Sequence, residues 1–155
     1  MMFVCLAPVT LLDLETQSRL WTVRVFDRFI AGRLAFSPDG SQLATGGSDA
    51  IVGVWDAKHL VCTHTISRNT KFTRSVSFSH DSKLLASSAE EGGIDIALAE
   101  NGELVGKVDL IRPKGGGADE IAFHPKSHLL ACAKCGTYAQ GGSPVTLAKL
   151  SIVPA

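Results

Sequence analysis

The chain has no excess of either charge: Lys and Arg together number 15, and so do Asp and Glu. A protein that grips nucleic acid through its phosphates carries a basic surplus, so direct nucleic-acid binding is not expected. Long apolar runs are lacking too. The stretch Met1 to Leu12 (MMFVCLAPVTLL) is shorter than the roughly 20 residues a membrane-spanning helix takes. It also has neither the basic n-region nor the small-x-small cleavage site of a secretory leader. The expectation is a soluble intracellular protein with no membrane partner. Cysteine is sparse: Cys5, Cys62, Cys132 and Cys135 fall mostly at apolar strand positions. They read as reduced, buried thiols rather than a disulfide framework. The 3.6-residue apolar spacing of amphipathic helices is absent, which excludes helical repeats. What remains is a globular composition, 45% hydrophobic and 19% charged, with enough apolar material for a core.

The stretch Leu34 to Asp56, LAFSPDGSQLATGGSDAIVGVWD, organises the rest. Leu34 to Phe36 is a short apolar strand. Ser37-Pro38-Asp39-Gly40 is a turn, in which proline presets φ and glycine supplies a positive φ. Gln42 to Gly46 is a second strand, Gly47 to Ala50 a second turn, and Ile51 to Trp55 a third strand that ends on Trp55-Asp56. The pattern returns from Val76 (VSFSHDSKLLASSAEEGGIDIAL) and from Ile121 (IAFHPKSHLLACAKCG), resuming at Pro144 to Leu150. Phe36 and Phe78 are 42 residues apart, Phe78 and Phe123 are 45 apart, and Leu12 precedes Trp55 by 43. Between copies, Leu20 to Val25, His59 to Ile66 and Glu103 to Leu110 fit a fourth, outer strand. The chain therefore divides into a strand remnant at 9–14 and units of about 20–56, 58–98 and 103–150.

A period of roughly 40–45 residues, tight turns and a terminal Trp-Asp resemble the WD40 β-propeller family. The fold class expected is all-β: a partial WD40 propeller over residues 1–155, about three and a half blades of a seven-bladed ring. Closed rings have about 4–8 blades, so the chain reads as the C-terminal half of a longer propeller, as a shortened one, or as a half that pairs with a second copy. Within the family, LAFSPDGSQLATGGSDAIVGVWDAKHLVC (34–62), TRSVSFSHDSKLLASSAEEGGIDIA (73–97) and Ala122-Phe123-His124-Pro125-Lys126 are similar to the WD40 subunits of the THO complex (the subunit 3 family). In the second run, Ile94-Asp95-Ile96-Ala97 stands where Trp-Asp would.

That resemblance implies a nuclear, non-catalytic scaffold that couples transcription to mRNA processing and export. Its partners would be other THO subunits, with mRNP contacted indirectly and no small-molecule substrate or cofactor. It also implies a hydrogen-bonded network pinning each blade. Thr45, Asp49, Trp55 and Asp56 are candidates in the first full unit, and Ser87 and Glu91 in the second, where Ala97 replaces Trp. Phe26 to Arg33 contains no His, so the first network is incomplete, and modest intrinsic stability is expected.

Chemistry finds few footholds. Cys132-Ala-Lys-Cys135 with His124 and His128 has zinc-ligand types, but residues three apart on a strand point to opposite faces, so no metal is assigned. Ser79, His80 and Asp81 are adjacent, yet they occupy the copy of the Ser37–Gly40 turn, and adjacency does not assemble a triad. Gly115-Gly116-Gly117 follows Lys114 without the P-loop pattern and reads as a connector. No enzyme activity is expected. Partner binding would use the rims, with aromatics and arginines as anchors: Arg28, Phe29, Phe72 and Arg74, among inner-loop residues that include Arg33, Lys71, Lys114 and Asp119. The alternative for Phe72 is packing between blades. A second functional reading is a WD40 adaptor of another class, a ubiquitin-ligase substrate receptor or histone-tail reader, since function lives in loops rather than in the fold.

Overall fold

The computed structural model describes residues 9–23, 31–90, 93–109, 120–133 and 145–149, and every regular element among them is a strand. β1 (Val9–Leu12) pairs antiparallel with β2 (Arg19–Val23). β3 (Ala31–Phe36), β4 (Gln42–Gly47), β5 (Val52–Asp56) and β6 (Val61–Ile66) form a four-stranded meander in sequence order. β7 (Thr73–Phe78), β8 (Leu84–Ala89), β9 (Ile94–Leu98) and β10 (Leu104–Val108) repeat it. β11 (Glu120–Phe123), β12 (Leu129–Ala133) and β13 (Val145–Lys149) give a third sheet. Each outer strand hydrogen-bonds to the strand before it, so the sheets are offset by one strand from the units read in the sequence.

The turns explain the order. After β3, Ser37 Oγ donates to Asp39 Oδ1 at 2.6 Å and accepts the Gln42 N–H at 2.9 Å, while Gly40 sits at φ +72°. After β7 the same bonds recur: Ser79 Oγ donates to Asp81 Oδ1 at 2.6 Å and accepts the Leu84 N–H at 2.9 Å. Ser82 replaces Gly40 at φ +61°, a left-handed conformation that costs a residue with a Cβ about 1–2 kcal/mol. After β11, His124 stands in for the serine, its Nδ1 accepting the Lys126 N–H at 3.1 Å. Short polar side chains thus close each hairpin on its own backbone.

The sheets stack face to face. Ala44, Val52, Val54 and Ile66 of the first four-stranded sheet meet Val76, Phe78, Leu85 and Ala97 of the second. The other face of the second sheet, Leu84, Ala86, Ile94 and Ile96, meets Ile121, Leu130 and Cys132 of the third. All six residues of β8 are buried, because both of its faces are covered. Each fully buried Leu or Ile here contributes about 1.5–3 kcal/mol. Gly46 makes the close approach possible: a Cβ there would lie 2.5 Å from Thr73 Cγ2 of the next sheet.

Cys132 is buried, as expected of a reduced thiol, but Cys62 is exposed. It lies on β6, the edge strand of its sheet among the described residues. Cys5 and Cys135 lie outside the described residues.

Candidate functional site

The ladder registers place the connections on two opposite rims. One rim carries the tight turns at 37–41, 79–83 and 124–128. The other carries the turn at 48–51, the 67–72 connection and Glu90.

Of the anticipated anchors, Phe72 and Arg74 lie on the second rim. The Arg74 guanidinium sits 5.2 Å from the Phe72 ring centroid and 3.0 Å from Glu90 Oε1. The Glu90 N–H donates to the Phe72 carbonyl at 2.8 Å, and Arg33 Nε donates to the Arg74 carbonyl. The Phe72 ring packs on Gly32 of the preceding sheet, where an added Cβ would come within 2.9 Å of Cζ. Phe72 is therefore an inter-sheet contact; in this patch Arg33 and Glu90 are exposed, while Phe72 and Arg74 are partly buried. Arg28, Phe29, Lys114 and Asp119 lie outside the described residues.

The anticipated network is brought together only in part. Trp55 Nε1 donates to Thr45 Oγ1 at 3.0 Å. Asp49 instead accepts the Ile51 N–H at 3.1 Å inside its own turn. Asp56 Oδ1 accepts the N–H groups of Lys58 and His59 and lies 3.0 Å from His59 Nδ1. The hydrogen bond from the His59 N–H, with that from the His59 side chain, holds the Asp56 carboxyl below the usual carboxylate range. Ser87 is buried on β8, and Glu91 lies outside the described residues.

The second sheet replaces the tryptophan by another device, one the sequence reading did not contain. Thr45 faces Gly53 and Leu43 faces Trp55 in the first sheet; Ser87 faces Asp95 and Leu85 faces Ala97 in the second. Gly53 leaves room for the indole, since a Cβ there would lie 3.0 Å from both Thr45 Oγ1 and Trp55 Nε1. Where Ala97 vacates that room, the Asp95 carboxylate fills it and takes a two-nitrogen bond from Arg68, at 3.0 and 2.7 Å. Arg68 also donates to the Gly102 carbonyl at 2.8 Å. The Asp95 side chain is only 7% exposed, and Arg68 gives it the pairing and hydrogen bonds that a buried carboxylate needs.

On the turn rim, the Asp39 N–H donates to Ser82 Oγ at 3.2 Å and Gln42 Nε2 donates to the Ala99 carbonyl at 3.2 Å, joining the two four-stranded sheets. Beside these bonds runs a cleft of about 390 Å³ lined by Asp39, Gln42, Thr63, Lys83 and Glu100. Further along, His80, Asp81 and His128 converge from two sheets. Burial alone would raise the Asp81 pKa. Hydrogen bonds from Ser79 and the Lys83 N–H, with the nearby His128 and His80, outweigh it and leave the carboxyl lowered. His124, by contrast, is engaged within its own turn. Sequence spacing gave no signal for this cluster, because His80 and His128 occupy different positions of their respective turns.

A family profile described as "WD domain, G-beta repeat" matches residues 31–56 and 60–95. The chain carries WD40 repeats. The two matched segments cover the first four-stranded sheet and most of the second, so these sheets are WD40 blades and the stack is a partial propeller. THO complex subunit 3 of Arabidopsis thaliana is 30% identical over 100 residues, 64% of this chain and 30% of that protein. Pre-mRNA-processing factor 19 homolog 2 of Arabidopsis thaliana is 38% identical over 58 residues, 37% of this chain and 11% of that protein. Among solved structures, U3-55K aligns with a TM-score of 0.61 at 21% identity, covering 66% of this chain and 32% of that one. The RRP9 WD40 repeats align with the same TM-score and coverage. These structural matches speak for the WD40 fold alone. The chain spans about a third or less of the length of each of these relatives.

Proposed function

We propose that this WD40 segment is a non-catalytic scaffold in a nuclear assembly of the THO type, where it docks other subunits and meets mRNP indirectly. The observation that carries the proposal is the 100-residue similarity to Arabidopsis thaliana THO complex subunit 3. One feature fits docking: the Arg33, Arg74 and Glu90 patch offers charged groups on a braced strand end. Arginine near a packed aromatic is a common anchor at protein interfaces. The test is affinity purification of the endogenous protein from nuclear extract, reading partners by mass spectrometry and the bait by intact mass. Co-purification of THO subunits supports the assignment. Recovery of a ubiquitin-ligase or chromatin complex in their place overturns it in favour of a WD40 adaptor of another class. The 58-residue similarity to Pre-mRNA-processing factor 19 homolog 2 also fits a WD40 protein of an mRNA-processing assembly.

A further inference from the structure

We propose that His80, Asp81 and His128 form a site for a divalent transition metal, of the zinc class, that ties the second blade to the third. His80 and Asp81 come from the β7–β8 turn and His128 from the β11–β12 turn. One ligand atom from each lies within 4.8 Å of the others. His128 Nε2 is already 3.3 Å from Asp81 Oδ2, and the two imidazole centroids are 4.7 Å apart at an interplanar angle of 67°.

Tetrahedral zinc holds nitrogen and oxygen ligands at about 2.0–2.2 Å, which sets ligand atoms roughly 3.3–3.5 Å from one another. The Asp81–His128 distance has that spacing. The remaining distances need to close by at most about 1.4 Å, within reach of small side-chain rotations.

Two further observations separate this arrangement from a plain ion pair. Asp81 is aimed: Oδ1 accepts the Ser79 hydroxyl at 2.6 Å and the Lys83 N–H at 3.2 Å, and Oδ2 faces His128. Outer hydrogen bonds of this kind orient a ligating carboxylate. His80 Nδ1 is buried without a hydrogen-bond partner. A buried ring nitrogen of this sort calls for a partner, and a metal supplies one. Imidazole and carboxylate together suit zinc, copper or nickel rather than magnesium or calcium, which favour all-oxygen shells. Three protein ligands leave a coordination position open, and the side chains of Asp81 and His128, 27% and 35% exposed, leave it reachable by water or by a ligand from a bound partner.

The test titrates zinc into the chelator-stripped full chain against a chromogenic zinc indicator, with Cys135→Ser as background to remove the CxxC motif. The expected result is one zinc per chain, bound at least tenfold more weakly by His128→Ala and by Asp81→Asn. Zinc affinity unchanged in the His80→Ala/His128→Ala double variant overturns the site. A second readout needs no variant: Co²⁺ loaded onto the native chain should give ligand-field bands without a thiolate-to-metal charge-transfer band. A thiolate band at one Co²⁺ per chain would move the metal to the cysteines and refute the assignment.

Discussion

The exchange of Gly53 and Trp55 in one blade for Asp95 and Ala97 in the next makes a quantitative prediction. In Gly53→Ala, the new methyl would sit 3.0 Å from both atoms of the Trp55–Thr45 hydrogen bond. Ordinary carbon contacts lie at about 3.5 Å or more, so the indole must retreat. Overpacking of this kind costs about 1–3 kcal/mol, and weakening the hydrogen bond adds about 0.5–1.5 kcal/mol. Loss of glycine's freedom in the unfolded chain returns about 0.4–1 kcal/mol. The net expectation is a loss of about 1–3 kcal/mol. Trp55→Ala should cost about 2–4 kcal/mol, below the full range for a buried tryptophan because Trp55 is half-buried. In the double variant the methyl enters vacated space, so the double variant should be about 1–2 kcal/mol more stable than the summed singles predict. Urea unfolding followed by far-UV circular dichroism at matched m-values reads this directly. Additivity within about 0.5 kcal/mol would show that the glycine does not make room for the indole.

Other substitutions test neighbouring steps. Gly46→Ala should destabilise by about 2–3 kcal/mol, and Thr73→Ser should restore part of the loss by removing the nearer methyl, since Thr73 Cβ still lies 3.0 Å from the new Cβ; urea midpoints check both. Arg68→Ala should cost about 2–4 kcal/mol by stranding the buried Asp95 charge, and Asp95→Asn less, as measured by thermal unfolding. Phe72→Ala should lower stability by about 1–3 kcal/mol, whereas Arg74→Ala, losing a half-exposed ion pair, should change it by under about 1 kcal/mol. Partner capture should then fall for Arg74→Ala at unchanged folding. The Asp39 carboxyl is lowered to about 2 from 3.8, chiefly by the Ser37 hydroxyl and then by the Ser41 N–H and hydroxyl. Its folded-state pKa is depressed, so its contribution is complete above 3.8 and is lost as pH falls towards about 2. Acid titration of Asp39→Asn should therefore show a shallower loss of stability across that window.

Much of the fold was legible because turn chemistry and strand pattern agree. Phe36, Phe78 and Phe123 recur at one repeat period and end β3, β7 and β11, each followed by a turn closed on its first side chain. β7 begins at Thr73, three residues before the apolar signal at Val76, because its first residues are polar yet buried or half-buried against neighbouring sheets. Burial was less legible than pairing. Phe78 is 5% exposed and Phe36 54% exposed, although they hold the same repeat position. Phe78 packs into the cluster between the two four-stranded sheets, a neighbour that a repeat position does not encode. The Arg68–Asp95 bond escaped for a similar reason: it depends on space that a missing tryptophan leaves. The His80, Asp81 and His128 cluster joins unlike positions of two turns, so aligning the copies separates residues that packing brings together.

The doubly covered β8 bears on how the chain can be dissected. Its two faces feed two different apolar clusters, so no cut between residues 44 and 132 leaves both intact. Removing the third sheet would bare Ile94 and Ile96, and removing the first would bare Val76 and Phe78. In arrays where each repeat is held mainly by its neighbours, stability is a chain of interface terms. The second blade is the link that both terms share, and the smallest fragment worth expressing for this region is one that keeps it flanked on both sides.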